Sequence, residues 1–202
     1  MARSINYRVP FRRRRKGLTD YHARKKMMLT NIPRLVVRTT LNNTNVQLIK
    51  ATMNGDKTLS AAHSIELVNK FGWKAPNGNL PAAYLTGFLA GLRALEKGVK
   101  KAILDIGMQS ATRGSRVFAS MKGALHAGLD IPHEEKMLPS EERTTGEYSS
   151  KHAMDLSKKD PESYQRRYSK FLAKGLKPEE LPKHFEETKI KINSAFEGRS
   201  QK

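Results

Sequence analysis

No cysteine occurs among the 202 residues. That excludes disulfides, thiolate metal sites and cysteine nucleophiles together, and nothing argues for an oxidising compartment. Long apolar runs are missing too. The longest, Leu80 to Leu92, is interrupted by Pro81, Tyr84 and Thr86 and followed by Arg93; it falls short of the roughly 20 residues that span a bilayer and predicts a buried core helix. The N-terminus carries charge without the roughly 7–15 apolar residues of a secretory signal, so the expectation is a cytoplasmic protein with no membrane partner. Acid is scarce at one end: Asp20 is the one carboxylate among the first 38 residues.

What fills that end is cation. Twelve of the same 38 residues are lysine or arginine, with the run Arg12-Arg13-Arg14-Arg15-Lys16 at their centre. Net charge is +11 over residues 1–38, +6 over 39–132 and +2 over 133–202, making up the +19 of the chain. Charge so concentrated points to a polyphosphate backbone, because each neutralised phosphate releases condensed counterions and so drives association. An acidic protein partner is the less favoured reading. With 38% hydrophobic residues, the chain supports one core of ordinary size with extensions, domains clustering at about 100–150 residues.

Residues 1–32 read as a basic arm. Within it, Asp20 to Met28 has helical spacing of Tyr21, Arg24, Lys25 and Met28, with Thr19 or Asp20 as N-cap. Pro33 closes the arm. Arg34 to Leu41 and Val46 to Met53 are rich in β-branched residues and joined by Asn42-Asn43-Thr44-Asn45, which tolerate left-handed turns. Asn54-Gly55-Asp56 is a stronger turn signal and makes Lys57 to Ala62 a third strand of an antiparallel meander. Ser64 is expected to cap a helix ended by Gly72, and Asn79 with Pro81 in the first turn opens the buried helix. Gly87, Ala90, Gly91 and Ala94 give that helix a small-residue face for close packing. Ala102 to Ile106 reads as a strand buried on both faces, parallel to an earlier one. A helix from Ser115 to about His126 follows. Residues 133–150 mix charges without an apolar period and read as an extended connector. Asp160-Pro161-Glu162 then starts a helix with Tyr164, Tyr168, Phe171 and Leu172 on one face. Lys177 to Glu187 predicts a short last helix, and the final ten or so residues are expected to be disordered.

Three meandering strands and a parallel strand, covered by helices, form an α/β mixed sheet similar to the ribonuclease-H-like architecture. A nuclease with two metals needs several convergent carboxylates. Asp105 suits one position, but the first strand has no acid and the long helix offers Glu96 near its far end, so the catalytic set is incomplete. The histidines His22, His63, His126, His133, His152 and His184 lack zinc spacing. No P-loop or dinucleotide fingerprint is present. The loop from Gly107 to Gly114 does bring Thr112, Arg113, Ser115 and Arg116 to a helix N-terminus, where free N–H groups favour phosphate; a plain strand-to-helix connection is the alternative.

The segments RRRRKGLTDYHARKKM (Arg12 to Met27), GNLPAAYLTG (Gly78 to Gly87), AILDIG (Ala102 to Gly107), TRGSRVFASMKGALHAGLDIPH (Thr112 to His133) and KHAMDLSKKDPESYQRRYSKFL resemble the 5S-rRNA-binding protein family of the large ribosomal subunit, the L-eighteen family in its archaeal form, equivalent to the eukaryotic L-five protein. The resemblance spans nearly the whole chain. It implies a ribonuclease-H-like fold without the active site, a non-enzymatic place in the central protuberance of the cytoplasmic ribosome, and attachment of 5S rRNA to the 23S-type large-subunit rRNA. Partners would include neighbouring ribosomal proteins, among them the other 5S-associated protein. Carried over by motif, RNA contacts are expected from Arg12, Arg13, Arg14, Arg15, Lys16, Tyr21, Arg24, Lys25 and Lys26, with Thr112, Arg113, Ser115 and Arg116. Arg3, Arg8 and Arg38 join them as cations of the same basic region. The expected division is arm 1–32, α/β domain 33–132 and helical C-terminal extension 133–202. No cofactor or metal is expected. A general DNA- or chromatin-binding protein is the competing reading; it explains the charge and leaves the buried strand and the C-terminal helices without a role.

Overall fold

The computed structural model describes residues 5–197. β1 (Arg34–Thr39), β2 (Thr44–Thr52) and β3 (Gly55–His63) form the antiparallel meander, and β4 (Ile103–Asp105) joins β1 in parallel, giving the order β3-β2-β1-β4. The register pairs Leu35 with Leu48, Val37 with Val46 and Val46 with Ala62, so one face is a continuous layer of side chains at most 1% exposed. Period-two alternation is what puts them there. β4 is an edge strand rather than one buried on both faces: Ile103 and Leu104 are half-buried and only Asp105 is buried. Its apolar Leu104, and Ile106 just beyond it, share the face of Leu35 and pack against the helix-covered core, while Asp105 falls with Val36 on the opposite face, beneath the arm.

Helices cover the apolar face. α3 (Ser64–Phe71) is capped by His63 and not by Ser64: His63 Nδ1 accepts from the Ile65 N–H at 3.1 Å, and Glu66 accepts the His63 N–H in return. Ser64 Oγ is occupied in accepting the Thr44 N–H and donating to Asn43. The Arg93 guanidinium, at 2.6 Å, together with Lys70, pulls the Glu66 carboxyl down to about 2. α4 (Leu80–Glu96) crosses β2 and β3, and α5 (Arg116–His126) packs on α4 and β1. The small-residue face of α4 serves close approach, as expected. A Cβ on Gly87 would collide with the backbone of Ser120, and one on Gly123 with that of Tyr84 and Phe88.

The C-terminal part holds more regular structure than its sequence suggests. In place of an extended connector there are a 3-10 turn over 135–137, α6 (Glu141–Thr145) and α7 (Glu147–Lys159). Their buried positions are Thr144, Ser150 and Ala153, small residues that leave no apolar period to detect. α8 (Pro161–Leu172) starts as expected, with Asp160 accepting from the N–H groups of Glu162 and Ser163. α9 (Leu181–Glu197) is longer than the expected helix, and helix occupies positions 193–197, where disorder was the expectation; residues 198–202 lie outside the described part. Phe185, Ile192 and Phe196 anchor α9 in the same core as Trp73 and Tyr84.

Two histidines sit in that junction. The Tyr84 hydroxyl and His126 Nδ1 are 2.7 Å apart, and His184 Nε2 accepts the Lys74 N–H at 3.0 Å while its ring stacks on Trp73. Burial pushes both imidazoles below their ordinary value. The unfolded chain therefore binds more protons than the folded one just below pH 6.5, and stability falls as pH drops through that value toward the lowered folded ones. The Glu66 carboxyl, held near 2, adds its loss only below about 4.5. Urea midpoints are thus expected to fall between pH 7.5 and pH 5, with a shallower fall in His184→Gln; a pH-independent midpoint over that range would contradict the burial of the His184 ring.

Candidate nucleic-acid interface

Residues 7–11 have no regular secondary structure and lead into a single helical turn, α1 (Arg12–Arg15). Gly17, at φ 60°, reverses the chain in a conformation that side chains disfavour. Asp20 then caps α2 (Tyr21–Leu29), accepting the N–H groups of His22 and Ala23 at 2.9 and 3.1 Å; these bonds, the Ala23 one foremost, hold its carboxyl below the usual range. Arg8, Arg12, Arg13, Arg14, Arg15, Lys16, Lys25 and Lys26 are all exposed, and Tyr21 is half-buried with its ring 6.4 Å from that of Phe11. None of these cations forms an ion pair among the described residues. Arg13 donates through Nε to Thr19 Oγ1 at 2.9 Å and keeps the rest of its fork open. Arg3 lies outside the described residues.

Self-repulsion in so basic a segment is offset by a chain of charges on the open face of the sheet. Arg24 of α2 reaches Asp56 at 2.8 Å, and Asp56 also accepts from Arg34 at 2.8 Å. The second nitrogen of the Arg34 fork holds Asp105 at 2.9 Å, and Asp105 in turn binds Arg38 at 2.9 Å and the Gly107 N–H at 2.9 Å. Arg38 completes its contacts on the carbonyls of Val37 and Asp105. Arginines of β1 at alternate positions, 34 and 38, both point to this face, which is why one strand supplies two links of the chain. Between the arm and the sheet lies a cavity of about 300 Å³.

The other sequence-derived candidates separate into two kinds. Thr112 and Arg113 are exposed at the turn before α5, and Ser115 is half-buried with its hydroxyl unpartnered in the protein. Arg116 turns inward instead, donating to the carbonyls of Thr40 at 2.7 Å and Gly78 at 3.2 Å. Arg24, Arg38 and Arg116 are thus tied into the fold, unlike the exposed run. Asp105, the nuclease candidate, is enclosed by two guanidinium groups, and among the described residues no group of three or more metal-ligating side chains occurs. Nor is any helix there long and apolar enough to cross a membrane. Sequence reasoning missed Asp56, which anchors the arm; its place beside Asn54-Gly55 let the turn account for it, and the available signal was its being the sole acid between Asp20 and Glu66.

A family model described as ribosomal large subunit proteins 60S L5 and 50S L18 matches residues 5–101 and 96–134. Over 196 residues the chain is 50% identical to the large ribosomal subunit protein uL18 of Aeropyrum pernix, covering 97% of this chain and 92% of that one. It is 51% identical to the large ribosomal subunit protein uL18 of Caldivirga maquilingensis over 196 residues, 97% of this chain and 95% of that one.

Proposed function

Because this chain belongs to the ribosomal protein family that comprises 60S L5 and 50S L18, we propose that it binds 5S rRNA and fastens it to the 23S-type large-subunit rRNA in the central protuberance. The observation that carries this reading is the exposed run Arg12 to Lys16, free of ion pairs and held beside a helix that Arg24 and Asp56 anchor to the sheet. Arginine forks bind phosphates bidentately, and A-form RNA is otherwise read by shape and 2′-hydroxyls. In this reading Arg8, Arg12, Arg13, Arg14, Arg15, Lys16, Lys25 and Lys26 contact phosphates, with Arg3 continuing the same run. Tyr21 stacks on an unpaired base. Thr112, Arg113 and Ser115 form a second, smaller phosphate contact, while Arg24, Arg38 and Arg116 keep the surface in shape and offer their outer edges to RNA. Neighbouring ribosomal proteins, including the other 5S-associated protein, adjoin it on the cytoplasmic ribosome. The division at residues 32 and 132 then separates the RNA-clamping arm and the α/β platform from an extension with its own contacts.

Binding of the purified protein to 5S rRNA, with tRNA and duplex DNA as competitors, tests this. A preference on the order of 10³ or more is expected for 5S rRNA. Equal competition by duplex DNA would favour the chromatin-type reading. Replacing Arg13, Arg14 and Arg15 together by alanine should weaken binding and flatten its salt dependence by about 0.7–0.9 log units per lost phosphate contact. An unchanged slope would mean that these side chains face solvent in the complex.

A further inference from the structure

Phe11 is 80% exposed, more than any other aromatic side chain among the described residues. A ring of that size left in water forgoes the gain of burial. It is also held in place. The Phe11 carbonyl accepts the Arg15 N–H at 3.0 Å, so the residue is fixed to the arginine turn α1. The reversal at Gly17 and the bond from Arg13 to Thr19 then bring it near Tyr21, the first residue of α2, whose helix Arg24 ties to Asp56. The two ring centroids are 6.4 Å apart, with planes inclined at 47°. At that angle the rings do not stack on each other. Their separation is close to the roughly 6.8 Å that a layer inserted between them requires, twice the 3.4 Å rise of stacked bases.

Three kinds of partner compete for the ring. An apolar protein surface laid on it would also cover Arg8 and the run Arg12 to Lys16, which form no ion pairs among the described residues. Taking several charges out of water without counter-charges outweighs what one phenyl ring returns. An acidic protein segment satisfies the cations but presents carboxylates to the negative face of the ring. A nucleotide carries a π-face and a phosphate in one covalent unit, the combination that stacking rings set among cations take up from single strands. The Phe11 ring and the cations are all exposed, and so are open to it. Within a duplex the faces of a base are covered by its neighbours, so the nucleotide has to be unpaired.

We propose that Phe11 and Tyr21 form a clip for one unpaired base of rRNA, which enters between the two rings while the phosphates beside it fall to Arg8 and Arg12. The clip rests on the rRNA-binding reading above and narrows the target of the arm from RNA in general to a looped-out nucleotide. Tyr21 thereby shares its base with Phe11.

The test uses the full chain with transcribed 5S rRNA, transcribed large-subunit rRNA and a perfectly paired RNA duplex, which offers no unpaired base. Phe11→Ala exchanges an exposed side chain and should fold as the parent does, checked by circular dichroism. It is expected to weaken binding to at least one of the two rRNAs by about 5- to 150-fold and to leave duplex binding alone. The salt slope stays as in the parent, because no charge is removed. Phe11→Leu, which keeps apolar bulk without a π-face, should remain weak, and Phe11→Trp should bind as the parent does. Tyr21→Leu combined with Phe11→Leu should lose less than the product of the two single losses, since both rings act on one base. Losses that multiply would mean separate bases and overturn the clip. Parental affinity of Phe11→Leu would mean that the ring only packs the arm, and an equal loss on the duplex that it only shapes it; both overturn the proposal. If Phe11→Ala matches the parent with both rRNAs while the Arg13, Arg14 and Arg15 variant weakens, the clip fails, the ring falls to a protein surface, and the arm reading stands. Parent-like behaviour of both variants overturns the two together.

Discussion

Asp105→Ala is expected to lower the unfolding free energy by about 3–5 kcal/mol, a large part of the total stability of an ordinary domain. Asp105 and Arg34 are each about 5% exposed, and their contact at 2.9 Å balances two charges that water hardly reaches. Removing the carboxylate leaves the Arg34 guanidinium buried beside an Nε that already lacks a partner in the protein. Asp56, which is more exposed, holds only the other end of the fork. Arg38 loses less, since it keeps the carbonyls of Val37 and of residue 105. The reasoning predicts recovery when both charges go: Asp105→Leu with Arg34→Met should unfold at a higher urea concentration than Asp105→Ala, because apolar replacement of a buried pair is often neutral or stabilising. Equal instability of the two variants would show that packing around position 105, not charge, sets the cost. Either way Asp105 acts as a link in the chain of charges that holds the arm to the sheet, and its loss reaches the exposed cations only through that support.

Alanine at Gly87 or Gly123 sets two effects of opposite sign against each other. Helix propensity favours the substitution by about 1 kcal/mol. Sterics oppose it: the new Cβ at 87 would sit 2.7 Å from Ser120 Cα, and the one at 123 would sit 2.7 Å from the Phe88 nitrogen. Backbone cannot swing aside as a side chain does, so the overpacking penalty belongs at the upper end of its usual range, about 3 kcal/mol. The steric effect wins, leaving a net loss of about 2 kcal/mol and a melting temperature lower by about 4–8 °C in a chain of this size. Gly91→Ala should cost less, because only one atom there, the Ala127 methyl carbon at 2.7 Å, comes closer than 3.0 Å, and the neighbouring Ala124 backbone stays at 3.0 Å or beyond. Calorimetry of the three variants reads the order directly, and a stabilised Gly87→Ala would mean that α4 and α5 can slide apart.

The parts of the fold legible in the sequence are those with a local chemical signature. Asn79 and Pro81 mark the start of α4, Gly72 the end of α3, and Asp160 with Pro161 the start of α8, each through a cap or a fixed dihedral that acts within four residues. The meander follows from β-branched runs and turn residues, and the parallel fourth strand from a continuous apolar run, although that strand lies at the sheet edge and is not buried on both faces. What escaped depends on contacts distant in sequence. α6 and α7 bury Thr144, Ser150 and Ala153, whose small size writes no periodic pattern. α9 extends to Glu197 because Ile192 and Phe196 meet a core made of residues far upstream. His63 displaces Ser64 as a cap because the serine is claimed by Asn43 and Thr44 across the sheet. In the interface, the cationic run was visible as composition. Which arginines remain open and which are consumed by Asp56, Asp105 and backbone carbonyls was a matter of tertiary geometry that charge counting does not contain.

The one tryptophan of the chain is 1% exposed, with its ring centroid 5.1 Å from that of His184 on α9. All tryptophan emission therefore originates at the seam between the α/β layer and the C-terminal helix. Unseating that helix would bring the indole into water and shift its emission to longer wavelength, and protonating the stacked imidazole would quench it. Nucleic-acid bases contribute no comparable fluorescence, so the protein carries an unlabelled optical gauge of its own C-terminal docking, readable even in the presence of RNA.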